Sequence, residues 1–147
     1  MKIIIRELEE KDYPALLSLL NNELGSSYTA VDDIALHYDR VKGDERYKTF
    51  AALLNGETVG FISTVQFFTV GFDGNLIWIV QMAVKKEIQN NGVGTKLLQY
   101  IENYAREKGC DSIILNSGVR RIDAHAFYKR NGYNTASNSW CFNKKLF

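Results

Sequence analysis

The run Gln89-Asn90-Asn91-Gly92-Val93-Gly94-Thr95 holds the residue types whose spacing most readily does chemistry. Asparagine and glycine tolerate backbone angles that other residues avoid, so successive N–H groups in such a run can turn into one concavity. Beyond it Val93, Leu97, Leu98, Ile101, Tyr104 and Ala105 recur at helical spacing. A helix opening at Gly92 leaves its first N–H groups unpaired and adds the positive end of its dipole. Together these make an anion site without a basic side chain, and its natural ligand is a phosphate or pyrophosphate. Two familiar phosphate loops are excluded. Gly92-Val93-Gly94-Thr95-Lys96 lacks the Walker spacing, and Leu97 stands where a dinucleotide fingerprint needs its third glycine.

The loop must be presented by what flanks it. Leu76 to Val84 is an apolar, Val- and Ile-rich run expected to be a buried strand, and the helix from Gly92 ends near Lys108-Gly109. Upstream, Lys2 to Leu8 reads as a first strand. A helix follows from about Lys11, with Pro14 in its first turn and Leu16, Leu17, Leu19, Leu20 and Leu24 on one face. Gly25-Ser26-Ser27-Tyr28 breaks it, and a second helix runs from Val31 to Val41. After the turn Gly43-Asp44-Glu45, Tyr47 to Leu54 and Glu57 to Val70 read as strands joined at Asn55-Gly56, a strong hairpin signal. Gly71-Phe72-Asp73-Gly74-Asn75 turns into the apolar run. Downstream, Asp111 to Asn116 is a strand expected to lie parallel to Leu76–Val84 by a right-handed crossover. Ala124 to Asn131 is a short helix stopped by Gly132, and Tyr133 to Thr135 and Trp140 to Leu146 are expected as final strands. The fold class is therefore α/β (α+β), a mixed central sheet with helices on both faces.

Composition narrows the field. With 147 residues, 46% hydrophobic and 24% charged, the chain reads as one ordinary domain, residues 1–147. Its net charge of +1 points to no nucleic-acid partner. No apolar run approaches membrane-spanning length, the amino terminus turns charged too early for a signal peptide, and a cytoplasmic location is the default. Cys110 and Cys141 have neither metal-like spacing nor a disulfide framework, so no metal is expected.

Gln89-Asn90-Asn91-Gly92-Val93-Gly94 resembles the Q/R-x-x-G-x-G/A motif of the GCN5-related N-acetyltransferases (the GNAT family). About thirty residues on, Ala124-His125-Ala126-Phe127-Tyr128-Lys129-Arg130-Asn131-Gly132-Tyr133 resembles that family's second signature, A-x-x-[FL]-Y-x-x-x-G-[FY]. The predicted element order is also the family's. The resemblance implies acetyl-coenzyme A as acyl donor, an amine as acceptor, and splayed parallel strands that hold the donor. It places the pantetheine arm on the backbone of Met82, Ala83 and Val84, and the phosphates on Gln89, Asn90, Asn91, Gly92, Val93, Gly94 and Thr95. By the same resemblance Tyr128 is the general acid for the departing thiolate, a role a phenol of pKa ~10 can fill while still protonated at neutral pH.

Where many relatives carry a Glu or Asp, this chain has Val80 and Gln81, and a glutamine cannot act as a base. Glu23, His37 and His125 stay open for that role, each balanced by a structural or solvated reading, and no base is assigned. Arg121-Ile122-Asp123-Ala124-His125-Ala126-Phe127-Tyr128 is similar to a run in small-molecule acetyltransferases that act on aminoalkylphosphonates. Arg120 or Arg121 then binds an anionic group or forms part of a solvated face. Tyr28, Phe67, Phe68, Phe72 and Trp78 line an acceptor pocket or belong to the core. The expected activity is acetyl transfer to a primary amine of a small molecule. A protein lysine or amino-terminal acetyltransferase and a non-catalytic acyl-CoA-binding sensor stand as alternatives, and the oligomeric state, a homodimer included, is open.

Overall fold

Three isoleucines in succession put β1 (Ile3–Glu7) in the extended state, because branching at Cβ crowds a helix and suits a pleated surface. The computed structural model describes residues 2–71 and 74–147. After β1 come a 3-10 turn at Glu10–Asp12, α1 (Tyr13–Leu24) and α2 (Val31–Val41). Then follow β2 (Tyr47–Leu54), β3 (Glu57–Phe68) and β4 (Asn75–Val84). A second 3-10 turn (Lys86–Ile88), α3 (Val93–Glu107), β5 (Ser112–Ile114) and α4 (Ile122–Arg130) complete the elements. The strands form one sheet in the order β1-β2-β3-β4-β5, antiparallel except for the β4–β5 pair. At the β2–β3 hairpin Asn55 and Gly56 take φ of 51° and 85°, the mirror-image turn that matches strand twist.

Helices cover both faces, as expected. Leu16, Leu19 and Leu20 of α1 and Ile34 of α2 form one core with Phe61 and Ala83 of the sheet. On the opposite face α3 buries Val93, Leu97, Leu98 and Ile101, and its Tyr100 and Tyr104 meet Phe50 with ring centroids 4.8 and 5.4 Å apart. Gly60 must stay bare, since a Cβ there would lie 3.0 Å from the Ala83 carbonyl oxygen.

Met1–Asn116 and Ser117–Phe147 are two compact units. The first contains the whole sheet. The second contains α4, and here the sequence reading needs correction. Tyr133 to Thr135 and Trp140 to Leu146 are not strands among the described residues. A strand exists only where a neighbour completes its ladder, and the aromatic propensity of Trp140 and Phe142 does not supply one. Both side chains are exposed, which removes the burial that would drive pairing. For the same reason β5 is shorter than Asp111–Asn116, and β3 stops at Phe68 rather than Val70. Phe72 and Asp73 of the expected turn lie outside the described residues.

One buried charge ties the first strand to the start of α1. Asp12 is 3% exposed and accepts from Arg6 Nη1 at 2.6 Å, Arg6 Nη2 at 3.0 Å, the Glu9 N–H at 2.8 Å and the Thr58 hydroxyl at 2.9 Å. Burial pushes its carboxyl pKa up, but these donors outweigh it and leave the group below its usual 3.8. A carboxyl with a depressed folded-state pKa contributes stability above its unfolded value. That contribution is lost as pH falls from about 3.8 through the lower folded value. Asp12→Ala should therefore destabilise the protein by about 3 kcal/mol at neutral pH, because it strips the partly buried Arg6 of both its hydrogen-bonded carboxylate oxygens, leaving Glu9 at 3.9 Å, and orphans the Glu9 N–H and the Thr58 hydroxyl. Urea unfolding at pH 7 and pH 3 tests this, and a gap between wild type and variant that does not narrow at pH 3 would contradict it.

Candidate active site

The geometry begins with an irregularity in β4. Thr64 pairs with Ile79 and Ser63 with Gln81, so Val80 is an extra residue, a β-bulge. Before it, β4 pairs in parallel with β5 at Leu76, Ile77 and Trp78. Beyond Trp78 no β5 pairing continues among the described residues. A bulge bends its strand and increases local twist, which accounts for β4 leaving its neighbour at this point. The bulge has a signal in the sequence itself: the inward apolar positions change parity, from Ile77 and Ile79 to Met82 and Val84.

This departure opens backbone groups on the free edge. The Lys85 N–H donates to Val59 O of β3 at 2.7 Å, so the groups of Ala83, two residues earlier, face β3 as well. Those of Met82 and Val84 face the free edge. Met82 thus offers a donor and an acceptor there, and Val84 its N–H, while Val84 O accepts from Gln89 Nε2 at 2.9 Å. Of the three residues expected to meet a pantetheine arm, Met82 and Val84 present backbone at the free edge, whereas Ala83 turns its backbone to β3 and buries its side chain in the core with α1 and α2.

The loop that follows is built as a nest. Asn90 and Gly92 have φ of 66° and 85°, and Gly92 is the N-cap of α3. No side chain caps that end and its first turn carries no acid, so the N–H groups of Val93, Gly94 and Thr95 have no carboxylate of the helix's own first turn to bind. Val93, 1% exposed, anchors the turn in the core. The loop is braced from within: Asn91 Nδ2 donates to Ile88 O at 3.0 Å and to Gln89 O at 3.2 Å. Gln89 braces it against β4 through Val84. A diphosphate fits this donor set, which is uncapped, positively polarised and open above Gly92, where an added Cβ would meet nothing within 4 Å.

Glu23, one of the open base candidates, is used otherwise. Its Oε2 accepts the Lys86 N–H at 3.1 Å, which ties the end of α1 to the segment that leads into the loop. His37 is exposed, its ring edge-on to Tyr38 at 5.2 Å. In the second unit, His125 Nε2 lies 2.8 Å from Gly118 O, so that ring is tied by a hydrogen bond to the loop that leads into α4. Tyr128 sits on α4 between Phe127 and Tyr133, with ring centroids at 5.3 and 6.0 Å, both tilted steeply. The Tyr133 N–H donates to Tyr128 O at 3.0 Å and closes the helix end around it. Burial pushes the Tyr128 phenol above its ordinary 10.0, and the Arg121 charge opposes this without reversing it. Arg120 and Arg121 are exposed. No cluster of three or more His, Cys, Asp or Glu able to hold a metal occurs among the described residues, and no helix among them is long and apolar enough to cross a membrane.

The profile of the acetyltransferase (GNAT) family matches residues 5–133. An aminoalkylphosphonate N-acetyltransferase of Salmonella typhimurium is 32% identical over 121 residues, covering 82% of this chain and 75% of that protein. Among solved structures, an aminoglycoside acetyltransferase from an uncultured soil metagenomic sample superimposes with a TM-score of 0.84 at 21% identity, over 99% of this chain and 97% of the other. An aminoglycoside N-acetyltransferase solved in complex with CoA also gives 0.84, at 12% identity, over 99% and 96%. At such identities the two structures speak to the fold.

Proposed function

This chain belongs to the acetyltransferase (GNAT) family, and from that premise we propose that it acetylates a small primary amine with Tyr128 as general acid. It is an N-acetyltransferase that uses acetyl-CoA and an amine acceptor. Residues 1–147 act in this reading as a single N-acetyltransferase domain. The small-molecule assignment draws on the Salmonella relative, which is named for an aminoalkylphosphonate substrate. The observation that carries the reading is the break between β4 and β5 at the Val80 bulge, followed at once by an uncapped helix start.

Each residue then has a stated task. Gly92, Val93, Gly94 and Thr95 hold the diphosphate with backbone N–H groups, and Asn90 shapes the loop. Gln89 and Asn91 fix it in place. Met82 and Val84 pair with the pantetheine arm as an added strand would. An N–H on that edge polarises the thioester carbonyl while the amine nitrogen bonds to its carbon. The carbon–sulfur bond then breaks, and Tyr128 gives its proton to the sulfur. The proton released by the amine goes to water, since Gln81 cannot take it and Glu23 is engaged with Lys86.

Thiol release from acetyl-CoA, followed against polyamines, aminoglycosides, amino acids, aminoalkylphosphonates and short lysine peptides, tests the acceptor class. The best small amine should exceed the best peptide by at least about tenfold in kcat/KM, a difference of about 1.4 kcal/mol. A lysine peptide as the best acceptor would overturn the small-molecule reading.

A further inference from the structure

Three hydroxyl groups meet on the sheet face that carries α1 and α2, and nothing in donor binding or acid catalysis employs them. Tyr38 of α2 donates to Thr49 Oγ1 at 3.0 Å. The Thr49 and Ser63 oxygens are 2.5 Å apart, and the Tyr38 oxygen is 3.5 Å from that of Ser63. Each hydroxyl owns a single hydrogen, so the direction of the chain can be worked out. Tyr38 gives its hydrogen to Thr49. Thr49 is buried, so its own hydrogen must find a protein acceptor, and Ser63 Oγ is the one within reach. The Ser63 hydrogen is then left with the Tyr38 oxygen at 3.5 Å as its acceptor within the chain, a contact well beyond the usual O–H···O range.

Where Ser63 sits gives that hydrogen a use. It is half-buried and is the register partner of Gln81, the residue directly after the bulge. Gln81 is exposed, and its amide makes no hydrogen bond among the described residues. Residues two apart along a strand share a face, and Phe61 and Ala83 mark this one as the face under α1 and α2. Ser63, Val65 and Phe67 therefore lie on it, as does Trp78 opposite Val65. The Phe67 and Trp78 rings meet at 6.2 Å, and Trp78 remains 40% exposed. An apolar floor thus ends, at the bulge, in one oriented hydroxyl donor and one free amide.

We propose that Ser63 is an acceptor-binding residue that donates a hydrogen bond to an oxygen of the amine substrate (hydroxyl, carboxylate or phosphonate), whose carbon skeleton lies over Trp78 and Phe67. This deepens the acetyl-transfer reading and rests on it. The polarity of the chain makes the seat selective. A methyl group in place of the oxygen leaves the Ser63 hydrogen only its long contact to Tyr38, and a second ammonium there meets a donor with a donor. Thr49 and Tyr38 are positioning residues, which set the direction without touching substrate.

Ethanolamine and n-propylamine are nearly isosteric and differ by a hydroxyl against a methyl, so their kcat/KM ratio reads the seat directly. Wild-type enzyme should favour ethanolamine by about tenfold or more. Ser63→Ala should bring the ratio close to one through KM, and Ser63→Thr, which keeps a hydroxyl, should restore most of it. Thr49→Val should give an intermediate ratio, and acetyl-CoA affinity by calorimetry should stay within about twofold of wild type in all three. A Ser63→Ala enzyme that loses both amines in equal proportion overturns the inference, as does a wild type with no preference between them. Wild type that binds acetyl-CoA and acetylates neither amine also overturns it, while wild type that fails to bind acetyl-CoA overturns the parent reading instead.

Discussion

Tyr128→Phe should lower kcat about a hundredfold while leaving the Kd for acetyl-CoA within about twofold of wild type. The phenol sits above its ordinary 10.0 because it is half-buried and partly stripped of water, so it is fully protonated at neutral pH. The same shift makes it a weaker acid, which places the effect at the low end of the roughly 10²–10⁴ range for positioned proton donors. The ring is fixed between Phe127 and Tyr133, so removal of one oxygen leaves the packing intact. An acid works only while it holds its proton. Wild-type kcat should therefore be flat across neutral pH and fall as pH rises through the raised phenol value, and the variant should lack that alkaline limb. Rapid-mixing kinetics with the best amine would decide the matter: an unchanged kcat, or an alkaline limb surviving in the variant, removes Tyr128 from the proton transfer.

Gly92→Asp should weaken acetyl-CoA binding by about a hundredfold, close to 2.7 kcal/mol, with no matching loss of fold stability. The variant separates three effects. There is room for a side chain, since an added Cβ meets nothing within 4 Å. The φ of 85° strains any L-residue, but aspartate less than alanine, so strain cannot make Asp worse than Ala. What remains is charge. A carboxylate at the N-cap accepts from the first N–H groups of α3, as N-cap acids do, and so occupies the donors that the diphosphate needs. Calorimetry on Gly92→Ala and Gly92→Asp at low and high salt, with thermal melts of both, distinguishes these effects. The Asp penalty should exceed the Ala penalty and shrink with salt, while its melting temperature is no lower than that of Ala. Equal affinities for the two variants would show that phosphate does not sit on this helix end.

Much of this architecture was legible from residue pattern, because its determinants are local. The isoleucines of β1, Asn55-Gly56, the helical spacing after Gly92 and the Gly132 stop each act within a few residues, and each element stands where it was expected. The loop was legible for the same reason, since its φ values belong to its own asparagine and glycine. The missed features depend on partners distant in sequence. Glu23 finds the Lys86 N–H across the fold, and the Tyr38–Thr49–Ser63 chain joins a helix to two strands. The final strands failed in the opposite sense: Trp140 and Phe142 carry strand propensity, but propensity alone supplies no ladder.

Sheet order repeats chain order from β1 to β5, so no strand has to insert between two earlier ones. As the chain leaves the ribosome, β2 can close on β1, β3 on β2 and β4 on β3, each addition meeting an edge already in place. The short β2–β3 and β3–β4 connections keep contact order low over most of the sheet. Two pairings wait on helices: β2 reaches β1 only after α1 and α2 have emerged, and β5 pairs last, once the whole of α3 has crossed over. The donor edge of β4 is therefore exposed throughout synthesis and is narrowed only at the last step of sheet assembly.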